Sequence, residues 1–293
     1  MSFETLDLTK FSDPVTSDPS ILDPEFPPEQ FVTHFISQGS VVHATVWIAR
    51  GSELKGTVIL SPQWFGGDRL ESVIIPLQVA GINVMTFHPR GMWDNQHIYT
   101  LATAADDLLA AAAYVRSTST GDAKTGQGKL WRTDPQRIAV MGLSGGGANV
   151  SIFACATDPL IQSVIAVAAN SMAVAQSPEK ISGTPFHDRV KELTAGRVDV
   201  LKTLASMNPA ELDRVRPIVQ APRLVDKNVL LIGALNDRVA TIETCHKPIA
   251  QAFRDAGVRV FDDVILDTDH SFLTKRIALA RLIIGWLRQR CDF

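Results

Sequence analysis

The sequence predicts an α/β fold in which helices cover both faces of a mostly parallel sheet. Short runs rich in Val, Ile and Leu recur along the chain without alternation of polar and apolar residues, a pattern typical of strands buried on both faces. Most gaps between these runs are long enough for a helix, and strands that alternate with helices form parallel sheets. We expect eight strands and a helical lid inserted between two of them.

Regular structure is predicted to begin after a Pro-rich arm at residues 1–28, where prolines, Asp and Ser interrupt every period. Two β-rich runs then flank Gln38-Gly39-Ser40 and predict an antiparallel hairpin with a short Gly turn. The predicted strands are Phe31–Ser37, Val41–Ala49, Thr57–Ser61, Ile82–His88, Arg137–Met141, Ser163–Ala169, Asn228–Gly233 and Val258–Leu266.

Five helices are predicted between and after these strands. The second is the clearest because residues 101–116 are rich in Ala and Leu, both strong helix formers. The gap between Asn170 and Asn228 is too long for a simple connection, so we expect a lid or cap at about 171–227 within one domain spanning 29–293. The predicted helices are Arg69–Ala80, Ala102–Ser117, Gly145–Ala156, Ile242–Ala256 and Leu273–Arg290.

The composition is that of an ordinary globular chain near neutral charge. Lys and Arg number 28 against 31 Asp and Glu, and 45% of residues are hydrophobic, which excludes a largely disordered chain and argues against a nucleic-acid partner. Because the sequence has no apolar stretch of membrane-spanning length and no signal-peptide pattern, we expect a cytoplasmic protein without a membrane partner. Nothing in the sequence indicates a homo-oligomer.

The cysteines and histidines indicate neither a disulfide framework nor a metal site. The three cysteines are odd in number and widely spaced, and we interpret them as reduced thiols: Cys155, Cys245 and Cys291. Four histidines lack ligand-like spacing and are interpreted as structural: His34, His43, His187 and His246. We expect no metal and no cofactor.

The strongest chemical motif is G-x-S-x-G between a strand and a helix. Strand Arg137–Met141 leads into Gly142-Leu143-Ser144-Gly145-Gly146, which opens the next helix. In this context a sharp turn raises the serine hydroxyl above the carboxyl edge of the sheet, and flanking glycines remove Cβ atoms that would collide. The Gly145 amide, at the helix N-terminus, is placed to stabilise an oxyanion. Ser144 is therefore the candidate nucleophile.

Two other interpretations of this motif stay open. It could be a Gly-rich turn whose serine is incidental. It could also be a phosphate cradle, but Ser144 stands where a dinucleotide motif has its middle Gly, and the next strand ends at Asn170 instead of an acidic residue.

A nucleophilic serine needs a base and an acid at the same sheet edge. Asp237 follows the strand Asn228–Gly233, and His270 follows the last strand. The chain order Ser144, Asp237, His270 is that of nucleophile-elbow enzymes. For the base, His88 and His97 are alternatives. For the acid, Asp267 and Asp269 compete, but both are too close in sequence to His270 to orient its far nitrogen.

From Phe31 to Arg290 the chain resembles the α/β-hydrolase family. Ser144, Asp237 and His270 stand where that family has its nucleophile, acid and base. The segment Phe87-His-Pro-Arg-Gly91 and the Asp-x-Asp-His-Ser-Phe ending look most like the prolyl-oligopeptidase and dienelactone-hydrolase enzymes, which include many small esterases. The dienelactone enzymes have Cys where this chain has Ser144. The resemblance implies that Arg90 forms a structural ion pair.

The resemblance also implies a second oxyanion donor in the loop after Thr57–Ser61. That loop reads Pro62-Gln63-Trp64-Phe65-Gly66-Gly67 and differs from the family's common His-Gly, so its register is open; we favour the amide of Trp64, with Phe65 second. Bulky side chains near the predicted edge are candidates for the substrate pocket: Phe65, Trp93, His97, Tyr99, Met172 and Phe186.

The predicted function is hydrolysis of a small, uncharged or weakly charged ester through an acyl-enzyme. Amides or short peptides are the alternative substrates, and acyl transfer to an alcohol or amine is possible. Since the sequence given contains no large N-terminal propeller that would filter peptides, ester hydrolysis is favoured. A non-catalytic ligand receptor or scaffold is the alternative of another class, because a fold does not by itself define a function.

Overall fold

The computed structural model describes residues 13–17, 23–63, 70–92, 99–118, 131–172, 183, 187–188 and 209–293. Its centre is an eight-stranded sheet of order β1-β2-β4-β3-β5-β6-β7-β8. β1 pairs antiparallel with β2 and β2 with β4, and the other strands are parallel. The strands are β1 Glu29–Ser37, β2 Ser40–Ile48, β3 Lys55–Ser61, β4 Asn83–Phe87, β5 Thr133–Leu143, β6 Ser163–Val167, β7 Asn228–Ala234 and β8 Val260–Leu266. The predicted fold class is confirmed.

The hairpin turn between β1 and β2 is formed by Gln38 and Gly39. Both have positive φ, 45° and 82°, as a two-residue turn of type I′ requires. Ser37 pairs with Ser40 directly beside the turn, so the turn fixes the register. Phe31 and Phe35 consequently face the interior.

Helices cover both faces of the sheet. The first face packs against α2, α3 and α6, and the second against α1 and α7. The helices are α1 Glu71–Val79, α2 Leu101–Ser117, α3 Val150–Thr157, α4 Pro209–Arg214, α5 Pro217–Gln220, α6 Lys247–Asp255 and α7 Arg276–Arg290. One-turn π-helices, Gly145–Asn149 and Ile242–His246, lead directly into α3 and α6.

The last helix begins later than the sequence predicts. Two consecutive turns precede it, with Phe272 N–H bonded to Asp269 O and Lys275 N–H bonded to Phe272 O. Phe272 also has φ of 54°, in the left-handed region. These turns use the residues that the apolar pattern assigned to the helix, so α7 starts at Arg276 instead of Leu273.

The described end of the predicted insertion packs onto the helices of the first face. Arg214 on α4 bonds Asp106 on α2 at 2.6 Å, and its guanidinium lies 4.9 Å from the centre of the Phe153 ring. Leu212 and Val215 are buried in the same cluster. Most of residues 171–208 lie outside the described part, so the lid stays a prediction.

The described residues of the N-terminal arm contact the second face. Asp13 accepts a hydrogen bond from Arg281 Nε at 3.0 Å, and Phe26 O accepts one from Gly51 N–H at 3.0 Å. No helix in the described ranges is long and apolar enough to cross a membrane. The cysteines are unbridged.

Candidate active site

Ser144 lies at the turn between β5 and the first π-helix. Its φ of 63° and ψ of −173° fall in a region that is costly for any residue with a Cβ. Such strain persists only where the surrounding structure imposes it, and it is typical of functional sites. Ser144 therefore stands at a strained turn directly after the carboxyl end of β5.

Two glycines allow the helix to approach the strand at this turn. A Cβ on Gly142 would lie 2.2 Å from the carbonyl carbon of Gly147, and a Cβ on Gly147 would lie 2.7 Å from Ser61 O. Both distances are far below van der Waals contact. Gly142 and Gly147 are thus required by close backbone packing between β3, β5 and the π-helix.

Asp237 and His270 meet at the carboxyl ends of β7 and β8. Asp237 Oδ2 is 2.7 Å from His270 Nδ1, the Asp237 side chain is fully buried, and that of His270 is 18% exposed. The other oxygen, Oδ1, accepts backbone N–H bonds from Val239 at 2.7 Å and Ala240 at 2.8 Å. Because a carboxylate only accepts, Nδ1 carries a proton in this bond, and in the neutral imidazole the lone pair is then on Nε2.

The competing carboxylates have other partners. Asp267 Oδ1 accepts from Asn236 Nδ2 at 2.9 Å, and Asp269 Oδ1 accepts from Ser271 N–H at 3.1 Å. Both bonds shape the two loops, which is the ordinary role of Asp in turns. Of the three candidates for the acid, Asp237 is the one hydrogen-bonded to His270.

An asparagine clamp borders the turn, and the sequence analysis did not single it out. Asn149 Nδ2 donates to Asn170 O at 2.8 Å, and Asn170 N–H donates to Asn149 Oδ1 at 3.0 Å. Asn170 Oδ1 in turn accepts from Met172 N–H at 2.8 Å. The only signal in the sequence is an amide side chain in an otherwise apolar helix start, Ala148-Asn149-Val150.

Met172 is held beside Gly145 by this clamp. It is buried, has φ of 56°, and its Sδ lies 3.5 Å from where a Cβ on Gly145 would stand. The thioether thus packs directly against the start of the helix that follows Ser144. The place of Met172 in a substrate pocket stays a prediction.

Arg90 forms the ion pair predicted for it. Its Nε bonds Asp107 Oδ1 at 2.7 Å and its N–H bonds Asp107 Oδ2 at 2.8 Å, and both side chains are buried. Tyr99, a predicted pocket residue, lies in the core near this pair; burial, followed by the Asp107 charge, raises the pKa of its phenol. No described residue bonds the Tyr99 hydroxyl.

Several predicted site residues lie outside the described part of the chain: Trp64, Phe65, Trp93, His97 and Phe186. His88 is described and exposed, and its N–H bonds His43 O at 2.9 Å. Within the described ranges, no three His, Cys, Asp or Glu side chains are grouped so as to hold a metal ion.

The fold is similar to those of peptidases and esterases. The acylaminoacyl peptidase of Pyrococcus horikoshii superposes with a TM-score of 0.64 at 14% identity, over 91% of this chain and 42% of that one. A structure from a study of two prolyl endopeptidases gives 0.64 at 18%, over 92% and 39%. The chain thus spans about two fifths of these peptidases. An esterase of Pyrobaculum calidifontis gives 0.62 at 17% identity, over 90% and 84%.

The sequence comparisons are more specific. No match was found among curated protein sequences. The family model described as the prolyl oligopeptidase family matches residues 81–292, a range that includes the Ser144 turn, Asp237 and His270 and covers most of the chain. The chain therefore belongs to the prolyl oligopeptidase family.

Proposed function

We propose that this protein hydrolyses carboxylic esters of small molecules through an acyl-enzyme on Ser144. His270 is the general base and Asp237 the acid that orients it. The observation that carries this proposal is the bond of 2.7 Å between His270 Nδ1 and the fully buried Asp237 carboxylate, at the sheet edge where Ser144 follows β5. A buried carboxylate on Nδ1 fixes the tautomer that a serine nucleophile requires.

The proposed reaction has two acyl-transfer steps. The lone pair on His270 Nε2 accepts the Ser144 proton as Oγ attacks the substrate carbonyl, and the imidazolium that forms is stabilised by Asp237. The protonated ring then delivers its proton to the leaving alcohol. Water, deprotonated by the same nitrogen, attacks the acyl-enzyme. The protonated ring returns this proton to Ser144 Oγ as the bond between Oγ and the acyl carbon breaks, which releases the carboxylic acid.

The oxyanion of each tetrahedral intermediate would be bound by backbone amides. Gly145 opens the π-helix, so its N–H belongs to the first turn, where amides lack partners within the helix. Trp64 remains our proposal for the second donor, with Phe65 as the alternative. Met172, beside Gly145, would limit the space available to the acyl group, so we propose a short acyl chain.

The ester proposal is supported by the likeness to esterases. The chain covers 84% of the Pyrobaculum esterase and 90% of a thermophilic carboxylesterase from a metagenomic library, so nearly every element of those folds has a counterpart here. Short peptides or acylated amides are the second candidate, favoured by the family match and by the peptidase structures. A small-molecule ester or amide is therefore the proposed partner.

Labelling with a fluorophosphonate probe, followed by peptide mapping, tests the nucleophile. We expect one adduct on Ser144 in the wild-type protein and none in Ser144→Ala. A well-folded wild-type protein without the adduct would contradict the hydrolase mechanism and support a receptor or scaffold role.

Turnover of matched substrates tests the substrate class. Esters and amides that share one acyl group, over a series of acyl lengths, separate leaving-group preference from pocket size. We expect kcat/KM to be higher for the esters and to fall as the acyl chain lengthens. Faster cleavage of the amides would establish the peptidase alternative.

A further inference from the structure

A second buried histidine–aspartate pair lies close to the proposed site. His246 Nε2 is 2.6 Å from Asp263 Oδ1, with the His246 side chain 4% and the Asp263 side chain 14% exposed. Arg254 bonds the other carboxylate oxygen, Asp263 Oδ2. The three side chains form one network on the face of the sheet that α6 covers. The sequence assigned His246 only a structural role.

The pair connects the two elements that carry the acid and the base. His246 is the last residue of the π-helix Ile242–His246, which begins shortly after the Asp237 turn. Asp263 is on β8, the strand that leads to His270. The bond therefore fixes the segment after Asp237 to the strand before His270.

The imidazole of His246 is in close contact with β7. A Cβ on Gly233 would lie 2.6 Å from His246 Nδ1 and 2.9 Å from its Cε1, so the glycine provides the space for the ring. Gly233 pairs with Ile265 on β8. The His246 ring thus lies over β7 at Gly233, four residues before Asp237, and bonds Asp263 on β8.

The same π-helix also contacts the Ser144 side of the site. Cys245, next to His246, has its Sγ 3.6 Å from Ser171 Oγ. Ser171 lies between the clamp residue Asn170 and Met172, which abuts Gly145. Contacts therefore run continuously from Gly145, at the start of the π-helix after Ser144, to the His246–Asp263 pair.

Asp263 is ionised under ordinary conditions. Burial raises the pKa of this carboxyl, but the hydrogen bonds and charges of His246 and Arg254 together outweigh burial, and its pKa lies below the usual value of 3.8. A carboxylate that accepts from both partners keeps the imidazole oriented with Nε2–H toward β8.

We infer that His246 and Asp263, supported by Arg254, are positioning residues that set the distance and angle between Asp237 and His270. This inference rests on the proposed function, because it concerns the geometry of that same acid–base pair. A displacement of about 1 Å at a catalytic group costs up to about 100-fold in rate. Loss of the pair is therefore expected to lower kcat while leaving KM nearly unchanged.

The inference is tested by comparing kcat of Asp263→Asn with that of a matched control, Asp262→Asn. Asp262 is the preceding residue and also a buried carboxylate, but it faces the other side, where Trp286 Nε1 bonds it at 2.9 Å. We expect kcat to fall about 10- to 100-fold in Asp263→Asn and less than about twofold in Asp262→Asn. Chemical denaturation establishes how far each variant is destabilised.

A second pair of variants separates positioning from stability. In His246→Gln the amide N–H can still donate to Asp263, so we expect most of kcat to be retained, whereas His246→Leu should resemble Asp263→Asn. The low-field proton NMR resonance of the His270–Asp237 bond should shift in His246→Leu and persist in His246→Gln and Asp262→Asn. A purely structural role would leave this resonance unchanged in every folded variant.

The outcomes distinguish the inference from the proposed function. If the wild-type protein has esterase or amidase activity but Asp263→Asn retains full kcat, the inference is wrong and the proposed function stands. If the wild-type protein is neither active nor labelled at Ser144, the proposed function fails first. Should Asp263→Asn not fold, Arg254→Gln and the two His246 variants decide by the same readouts, since full kcat and an unchanged resonance in all of them would overturn the inference.

Discussion

Two buried asparagines, at opposite ends of the sheet, make the same pair of hydrogen bonds to the backbone. Asn83, at the amino end of β4, donates to Trp131 O at 3.0 Å and accepts from Ala49 N–H at 2.9 Å. Asn149, near the carboxyl end of β5, donates to and accepts from the backbone of Asn170. Each amide side chain satisfies one backbone carbonyl and one backbone N–H.

The surroundings of the two clamps differ. Asn83 joins β4 to Ala49, directly after β2, and to Trp131, whose side chain is buried. Around Asn149 the backbone is strained, and four non-glycine residues at this edge have φ between 47° and 63°: Ser144, Ala168, Met172 and Phe272. The amino edge has such a residue as well, since Arg132, beside Trp131, has φ of 48°. The concentration of these residues at the carboxyl edge, together with the unusual φ and ψ of Ser144, indicates that this edge is the one shaped for function.

The largest expected effect of this difference concerns two serines. Ser144→Ala should lower kcat/KM by at least about 1,000-fold, because it removes the proposed nucleophile, without loss of stability. Ser163→Ala changes a buried serine at the amino end of β6, which accepts from Asn228 Nδ2 at 3.2 Å, and should leave kcat/KM within about twofold. Steady-state kinetics on one ester measures both; equal losses would contradict the comparison.

Two glycines provide the next test. Gly147→Ala would place a Cβ 2.7 Å from Ser61 O, so it should cost about 3 kcal/mol of unfolding free energy and most of the activity. Gly81, before β4, has φ of 90° but no neighbouring atom within 4 Å of a Cβ. Gly81→Ala should cost only about 1–2 kcal/mol and spare activity. Urea denaturation gives both free energies of unfolding. A loss smaller than about 3 kcal/mol in Gly147→Ala would show that the turn at Ser144 can relax to make room for a Cβ.

The clamps themselves give a matched pair. Asn83→Ala and Asn149→Ala should each cost about 2–3 kcal/mol, because each leaves buried backbone groups without partners. Only Asn149→Ala should also lower kcat/KM, by about tenfold, since Met172 would no longer be fixed beside Gly145. Denaturation and kinetics on the same preparations test this, and an unaffected kcat/KM in Asn149→Ala would remove the clamp from the site.

The smallest expected effect is the change in the free energy of unfolding at acidic pH. The pKa of Asp134, at the amino end of β5, is lowered: burial raises it, but bonds from Gln136 N–H and Arg137 prevail. Asp263, with its lowered pKa, is the counterpart on β8. A lowered folded-state pKa adds stability above the ordinary value of 3.8, and this stability is lost as pH falls through the folded-state pKa.

Replacement by Asn should therefore destabilise both sites above pH about 5 and have progressively less effect below it. Denaturation as a function of pH measures this loss for Asp134→Asn and Asp263→Asn. A difference from the wild-type protein that does not shrink in acid would show that the carboxylate charge is not the cause.

The sequence predicted the sheet and the placement of the site's main residues. Apolar runs without alternation determined the parallel strands, and the glycines around Ser144 marked a turn where backbones approach each other. Asp237 and His270 were expected near Ser144 because each follows a parallel strand. The carboxyl ends of parallel strands lie at one edge of the sheet. These features depend on residues that are near in sequence or on a repeated pattern.

The detailed contacts between the loops could not be predicted in the same way. The sequence favoured Asp237 as the partner of His270, but only the structure shows the register of β7 against β8 and the turn bonds that occupy Asp267 and Asp269. The predicted start of the last helix at Leu273 was wrong because tertiary turns used its first residues.

The sequence alone determined the fold class, the strained serine turn and the chemistry of the candidate groups, since all three depend on local residue type and spacing. Only the tertiary structure decided that Asn149 clamps Asn170 and that His246 reaches Asp263. Each of these bonds joins residues on different elements, and its strength comes from burial that the whole sheet creates. Local sequence carries no information on such distances until the strands are in register.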